Sequence, residues 1–332
     1  EKHCNMIRTI EMHTACHPLR IIESGFPAIL GDTILDKMSY IKENLDYIRK
    51  LVMQEPRGCS SMFGAWALKP DLPEADAAFL FLNTTGYTTM CGHAIIALGR
   101  YCVDNKLVEY KEPETQVNIQ CPCGLVKVYV ACSGGVSGKA RFHSVPSYSY
   151  KLGIVLDLPS YGKVTVDVSY GGAFYAVLPL SAVKLSFETS PLNDIIAAAM
   201  EVKKMAEDQI PIIHPDGKEA SFLYGVLFTE DKGDLEAKTL CLYGKGTADR
   251  SPCGSGTTAR MALMFAKGQV AVGESKVFRN PITKSKFSAE ITERVNSNNE
   301  VIVQISGQAF YTGDCNFIKE SADNVDDGFL ML

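Results

Sequence analysis

One short pattern occurs twice in this chain, as CGHAIIA at 91–97 and as CGSGTTA at 253–259. Both copies set Cys-Gly in front and Ala at the seventh position, after strand-like text and a glycine-containing turn. The segments ahead of them match in kind, because residues 36–54 and 190–207 both carry apolar side chains at helical spacing. In the first of these, Met38, Ile41, Leu45, Ile48 and Val52 share a face and Pro56 ends the run; in the second, Ser190 or Pro191 stands at the start. A duplication on this scale limits the fold more than any single element does. It predicts two similar halves, each a β-rich layer around one central helix, opening at Cys91 in one half and near Cys253 in the other. The run after Cys91 is apolar all round, as a helix in the middle of a domain should be.

The remaining text reads mostly as strand. TIEMHTACHPLRIIESG is expected to form two strands around a polar turn, followed by MFGAWAL and AAFLFL. From about 115 to 185 come QVNIQC, LVKVYVAC, KARFHSV, KVTVDVSY and AFYAVL, and later FLYGVLF, KTLCLYG and VIVQISGQAFYTG. No low-complexity linker separates domains, so the division follows the symmetry. Residues 1–145 with 308–332 form the half carrying Cys91, and residues 146–307 the half carrying Cys253.

Bulk properties narrow the class. A chain of 332 residues that is 46% hydrophobic and 21% charged is an ordinary globular protein with room for two domains. A net charge of −5, with Lys203-Lys204 as the densest basic spot, argues against a nucleic-acid partner. The longest apolar run, AAFLFL, is far short of the ~20 residues that span a bilayer, so no membrane partner is expected. Eleven cysteines without framework spacing, in a chain too long to need staples, point to a reduced, cytoplasmic setting. The sequence begins at Glu1 without a signal-like segment, and a targeting segment ahead of Glu1 stays an open alternative.

Chemistry is expected at the repeated cysteines. Asp249, Ser251 and Pro252 are helix-start signals and Ala259 to Ala262 good helix text, which places Cys253 in a first turn. Unpaired N–H groups and the helix dipole favour an anion there, and a thiolate is one. A small packed side chain is the plain alternative. If both helices aim their N-termini at one cleft, their N–H groups suit a carboxylate and the thiols flank the carbon beside it. One thiolate then removes a proton from that carbon while the other thiol delivers one to the opposite face. His93 is placed to hydrogen-bond a thiol or the carboxylate, and Asp249 to hold an ammonium or orient a thiol. The alternatives are a satisfied histidine near a helix start and a carboxylate that only caps its turn.

Other motifs lead nowhere. His13, Cys16 and His17 offer three ligands on one short turn with no second cluster, so no metal is expected. CPC at 121–123 lacks the two-residue spacer of a redox motif and reads as strand-end packing. GKGTADR lacks P-loop spacing, and no Ser/His/Asp triad order is discernible.

The motifs MCGHA (90–94) and DRSPCGSGTTA (249–259) resemble those of the proline racemase family, which includes proline racemases, hydroxyproline 2-epimerases and trans-3-hydroxy-L-proline dehydratases. The likeness continues through MHT (12–14), EPRG (55–58), MFGA (62–65), DVSYGGAFYA (167–176) and SGQAFYTG (306–313) to DGFLML (327–332), nearly the whole chain. The resemblance implies an α+β, diaminopimelate-epimerase-like fold of two pseudo-symmetric halves with the active site between them. It also implies no cofactor and no metal, a small imino-acid substrate (proline or a hydroxyproline) and a homodimer. By analogy Cys91 and Cys253 become the acid/base pair, and Gly92, His93, Asp249, Gly254 and Ser255 become substrate contacts. Phe63 and Tyr243 fall where the family lines the substrate ring, with plain core packing as the alternative. Two departures stand out. Ala15-Cys16 replaces a common pair of glycines, which would strain Ala15 if the turn needs positive φ, and Cys59 stands where histidine is common.

Membership leaves the reaction open. CPCGLV, FHSVPS, YGGAFYA and the DGFLML tail look most like animal members described as dehydratases, which typically carry Thr where this chain has Cys253. Dehydration needs one base, whereas racemisation needs two groups. Cys253 therefore puts first a cofactor-independent racemase or epimerase that inverts Cα of proline or a hydroxyproline. Dehydration of trans-3-hydroxy-L-proline to pyrroline-2-carboxylate, with Cys91 as base, comes second. A member that binds a small imino acid without turnover comes third.

Overall fold

Period-two strand text pairs into a sheet within each of two units, residues 1–142 with 308–332 and residues 143–307. The computed structural model describes residues 5–215, 221–231, 236–296, 299–320, 322–323, 325 and 327–331; Cys4 and Leu332, the last residue of the tail motif, lie outside the described residues.

In the first unit β1 (Asn5–Thr14) and β2 (His17–Ser24) form the expected hairpin. Its turn residues Ala15 and Cys16 have φ of 49° and 69°, so the strain expected at Ala15 is present. The chain then rises into α1 (Ile34–Asn44) and α2 (Asp46–Met53) before β3 (Phe63–Leu68), which pairs parallel to β2. Residues 36–54 are therefore two helices, not one. Leu45, at φ −127° and ψ 11°, ends α1 and begins α2. Asp46 starts the second helix with its carboxylate taken by the Arg49 guanidinium at 2.6 and 2.8 Å and the Tyr87 hydroxyl at 3.0 Å.

Antiparallel to β3 runs β4 (Ala77–Asn83), on which the short β5 (Tyr87–Thr88) folds back. The next helix, α3 (Gly92–Asp104), carries the chain to β6 (Glu114–Cys121), parallel to β4. Then β7 (Gly124–Ser133) and β8 (Val136–His143) continue antiparallel. The last strand of the chain, Ala309–Lys319, returns antiparallel to β1. Parallel neighbours need a crossover, and each here is helical. Ile95, Ile96, Ala97 and Leu98 of α3 are fully buried, and α3 packs on β1, β6, β7 and the last strand. A Cβ on Gly99 would meet Val128 Cγ1 at 2.6 Å, so helix and sheet are in close contact.

The second unit repeats this order. β9 (Tyr148–Leu158), β10 (Gly162–Tyr170) and β11 (Phe174–Pro179) are antiparallel, and α4 (Leu192–Gln209), with Pro191 at its N-cap, crosses to β12 (Leu223–Asp231), parallel to β11. β13 (Glu236–Tyr243) pairs antiparallel to β12 and carries the folded-back β14 (Thr247–Ala248). After α5 (Gly254–Ala266) come β15 (Ser275–Arg279), parallel to β13, then β16 (Lys286–Arg294) and β17 (Val301–Gly307). Parallel links and helical crossovers thus match those of the first unit, with α4 in the place of α1 and α2 and β9 in the place of the strand Ala309–Lys319. The duplication read from two seven-residue strings extends through both units. α5 is buried although it contains Thr257 and Thr258, because their hydroxyls donate to the Pro252 and Gly254 carbonyls at 3.2 and 3.0 Å. Among the described residues no helix is long and apolar enough to cross a membrane.

Candidate active site

In the first unit Cys91 is the N-cap of α3, in extended conformation at φ −152° and ψ 113°. Its carbonyl accepts the first helical bond, from Ile95 N at 3.0 Å. Its side chain makes no capping bond; Sγ instead lies 3.0 Å from His93 Nδ1. Gly92, the first helical residue, and His93 are buried, and Thr14 Oγ1 donates to the His93 carbonyl at 2.8 Å. The imidazole stands edge-on to Phe63 at 4.9 Å and to His17 at 4.5 Å between ring centroids. Phe63 is a core side chain of β3, and it is also a wall for His93. His17, the first residue of the neighbouring β2, is one of the three potential ligands weighed on that turn, and it stands here as a second wall of the His93 ring.

In the second unit Cys253 is the N-cap of α5, one position ahead of the expected first turn. Its φ of 67° with ψ of 116° is a backbone that a side chain rarely adopts. Such conformations cost about 1–3 kcal/mol and persist where the surroundings impose them. The surroundings here are specific. Cys253 N donates to Ser251 Oγ at 3.0 Å, while Ser251 N and Oγ reach Asp249 Oδ1 at 2.8 and 2.9 Å. Asn280 Nδ2 donates to the carbonyls of Asp249 and Ser251 at 2.9 and 3.1 Å. Asp249 therefore organises the turn that delivers Cys253, which is its capping reading, and its buried carboxylate also lies beside the sulfur.

Cys253 Sγ accepts from Gly256 N at 3.3 Å, lies 3.5 Å from the Tyr175 hydroxyl and 3.9 Å from Ser255 Oγ. Tyr175 and Ser255 are themselves joined at 2.7 Å. Burial, then the nearby Cys253 sulfur, pushes the Tyr175 phenol well above its ordinary value, so it stays a donor. Burial and a hydrogen bond with Cys253 do the same to the Cys241 thiol. Gly254 and Ser255 form the first turn of α5 as expected. Tyr243 stacks on Tyr224 at 5.4 Å, and Tyr224 meets Tyr175 edge-on at 5.6 Å, so Tyr243 ends an aromatic row that begins at Tyr175. Tyr175, Cys241 and Asn280 went unnoticed in the sequence. The first two lie in continuous apolar runs buried on both faces, where no alternation singles out a position, and a buried tyrosine hydroxyl that needs a partner is the one usable hint.

Of the motifs set aside, only His17 reaches the Cys91 cluster directly, through its ring contact with His93. His13 Nδ1 accepts the Cys16 backbone N–H at 3.3 Å within its own turn. Cys121 is buried at the end of β6 and Cys123 exposed at the hairpin tip; the hydrogen bond between them raises the first thiol and lowers the second. None of the ten described cysteines is in a disulfide.

Comparison with known proteins places these clusters in context. The family model described as proline racemase matches residues 9–330. The chain is 42% identical to trans-L-3-hydroxyproline dehydratase of Xenopus tropicalis, over 98% of this chain and 95% of that protein. It is 34% identical to proline racemase of Clostridioides difficile, over 99% of both. Among solved structures, a hydroxyproline epimerase from Agrobacterium vitis with bound trans-4-hydroxy-L-proline superposes with a TM-score of 0.88 at 27% identity, covering 98% of this chain and 95% of that one. A PhzF-family phenazine biosynthesis protein of Bacillus anthracis, at 12% identity and TM-score 0.62 over 94% of this chain and 99% of that one, shares the fold alone. The fold is the α+β, diaminopimelate-epimerase-like one that the motifs implied.

Proposed function

The chain belongs to the proline racemase family, and from that premise we propose that it dehydrates trans-3-hydroxy-L-proline, with Cys91 as the base. This reverses the order drawn from the sequence, which put racemisation first on the strength of Cys253. The relatives support the reversal, since likeness along the whole chain is higher to a dehydratase (42%) than to a racemase (34%). The observation that carries the base assignment is the Cys91 sulfur 3.0 Å from His93 Nδ1 at the start of α3. There the imidazole can take up or return the thiol proton, and the helix N–H groups favour the thiolate and a substrate carboxylate.

The proposed reaction runs in two stages. The Cys91 thiolate takes the Cα proton, and the C–H electron pair spreads into the carboxylate as an enediolate-like charge. That pair then forms the C2–C3 double bond as the C3–O bond breaks. The departing hydroxyl takes the Cys253 thiol proton and leaves as water, giving pyrroline-2-carboxylate. Proton exchange with solvent resets the two sulfurs. Asp249 holds the imino-acid ammonium, and Gly92, His93, Gly254 and Ser255 hold the carboxylate. Phe63 and Tyr243 supply apolar surface for the ring.

A second reading rests on one specific observation. Residue 253 is a thiol supported by the Tyr175 phenol and the Gly256 N–H, a group able to return a proton to the opposite face of Cα. With that step the same site racemises proline or epimerises a hydroxyproline, with no cofactor required. Proton NMR of the reduced enzyme in heavy water, with L-proline, trans-4-hydroxy-L-proline and trans-3-hydroxy-L-proline in separate tubes, tests both. The expected result is conversion of the 3-hydroxy compound alone into an unsaturated product, with Cys91→Ser slowing it at least about a hundredfold. Loss of Cα–H with the ring intact and growth of the other stereoisomer, abolished by Cys253→Ser, would overturn dehydration in favour of the second reading.

A further inference from the structure

A third thiol stands beside Cys253, and no step of the proposed reaction uses it. Cys241, near the end of β13, is fully buried, and its sulfur, a carboxylate oxygen of Asp249 and the Cys253 sulfur all lie within 4.8 Å of one another. We propose that Cys241, Asp249 and Cys253 form an inhibitory binding site for a thiophilic divalent cation, Zn2+ or Cd2+.

The geometry fits that cation class. Zinc binds thiolate at about 2.3 Å and carboxylate at about 2.0–2.2 Å. A tetrahedral centre therefore sets two sulfurs roughly 3.8 Å apart and a sulfur and an oxygen roughly 3.5 Å apart. Closing the three donors onto an ion shortens a separation by at most about 1.0 Å between the sulfurs and about 1.3 Å between a sulfur and the oxygen, which side-chain rotation supplies. The framework is also braced. The Asp249 backbone N–H donates to the Cys241 carbonyl at 2.9 Å, which clamps two of the three ligand-bearing residues together. Ser251 holds Asp249 Oδ1 through two hydrogen bonds, the kind of outer contact that orients a ligating carboxylate. The Gly256 N–H, already directed at the Cys253 sulfur, offsets part of the charge of two thiolates and a carboxylate. Three protein ligands leave a fourth position for water. Binding displaces both thiol protons to the buffer.

His13, Cys16 and His17 lack this convergence, since Cys16 is exposed and His13 is engaged with the Cys16 backbone. The cation at Asp249 and Cys253 occupies two residues assigned to the substrate, so it inhibits. The inhibition rests on the functional reading above, whereas the binding does not.

The test is a titration of the reduced full chain with Cd2+, followed by the ultraviolet thiolate-to-cadmium absorption, together with mass-spectrometric mapping of alkylation at Cys253. One tight equivalent is expected, reversed by EDTA, retained in Cys91→Ala and weakened at least about a hundredfold in both Cys241→Ala and Cys241→Ser, since even outer-shell losses cost 10–100-fold. Bound cadmium should slow Cys253 labelling in the parent protein and leave it unchanged in the Cys241 variants. Undiminished tight binding in those variants, or equal Cys253 labelling with and without cadmium in the parent protein, would overturn the site. If cadmium binds as expected while dehydration and Cα exchange proceed at full rate, the inhibitory role falls, and with it the reading that puts Cys253 at the substrate.

Discussion

Gly171, directly after β10, presses on the helix that carries Cys253, and replacing it with alanine should move that helix. An added Cβ would lie 2.3 Å from Ala259 N and 2.4 Å from Ser255 O. These two atoms are the donor and acceptor of one i→i−4 bond in the first turns of α5. Real Cβ contacts essentially never fall below 3.0 Å, so the helix must retreat by at least 0.7 Å (3.0 − 2.3). Neither atom is the end of a flexible side chain, and Ser169 Oγ of β10, two residues before Gly171 and bonded to the Ala259 carbonyl at 2.8 Å, resists the movement. Overpacking of this kind costs about 1–3 kcal/mol, and with backbone on both sides the upper end is expected. A displacement near 1 Å at catalytic groups costs roughly a hundredfold in rate. Urea unfolding should show a lower midpoint with unchanged slope, and NMR should show consumption of the substrate slowed by that factor. Gly172→Ala is the control. Its φ of 98° strains any side chain, but its nearest neighbours are 3.8 and 3.9 Å away. It should lose about 1–2 kcal/mol of stability and keep activity within a few-fold. Equal activity loss in both variants, or none in Gly171→Ala, would refute the argument from displacement.

At ordinary positions glycine is about 0.5–1 kcal/mol less stable than alanine, but the positive φ at Cys253 should reverse that order, with Cys253→Gly about 1 kcal/mol more stable than Cys253→Ala. Urea midpoints for the pair decide it, and an alanine variant more stable than the glycine one would remove the strain from Cys253. Burial pushes the Asp46 carboxyl upward, yet the hydrogen bond and charge of Arg49, with Tyr87 behind them, outweigh it and hold the group below its ordinary value. A depressed carboxylate stabilises the fold above its unfolded pKa, about 3.9, and that stability is lost as pH falls through the still lower folded value. Asp46→Asn should therefore cost roughly 0.5–1 kcal/mol at pH 7, allowing for solvent screening of a partly exposed pair. The gap to the parent protein should close as the pH falls below about 4, and a gap independent of pH would refute the linkage.

What the sequence made legible is what periodicity and local start signals govern. The hairpin at 5–24, the strands, the helix opening at Cys91 and Pro191 ahead of α4 all follow from patterns a few residues long. The duplication was legible from fourteen residues because a Cys-Gly pair must follow a strand and open a buried helix in both units. The break at Leu45 was not, because it depends on Asp46 finding Arg49 and, from a distant strand, Tyr87. The backbone of Cys253 is imposed by Ser251 and Asn280, which local propensity does not register. This limit also explains the misplaced order of reactions. The two units share a topology, but they hold their cysteines differently: Cys91 is extended and turned to an imidazole, Cys253 left-handed and bound by a helix N–H and a phenol. Two equal thiols read from a repeated string favour a symmetric exchange of roles between base and acid. Two unlike surroundings favour unlike tasks, a base at one thiol and a proton donor to a leaving group at the other, and that division of labour suits the proposed dehydration better than a symmetric exchange.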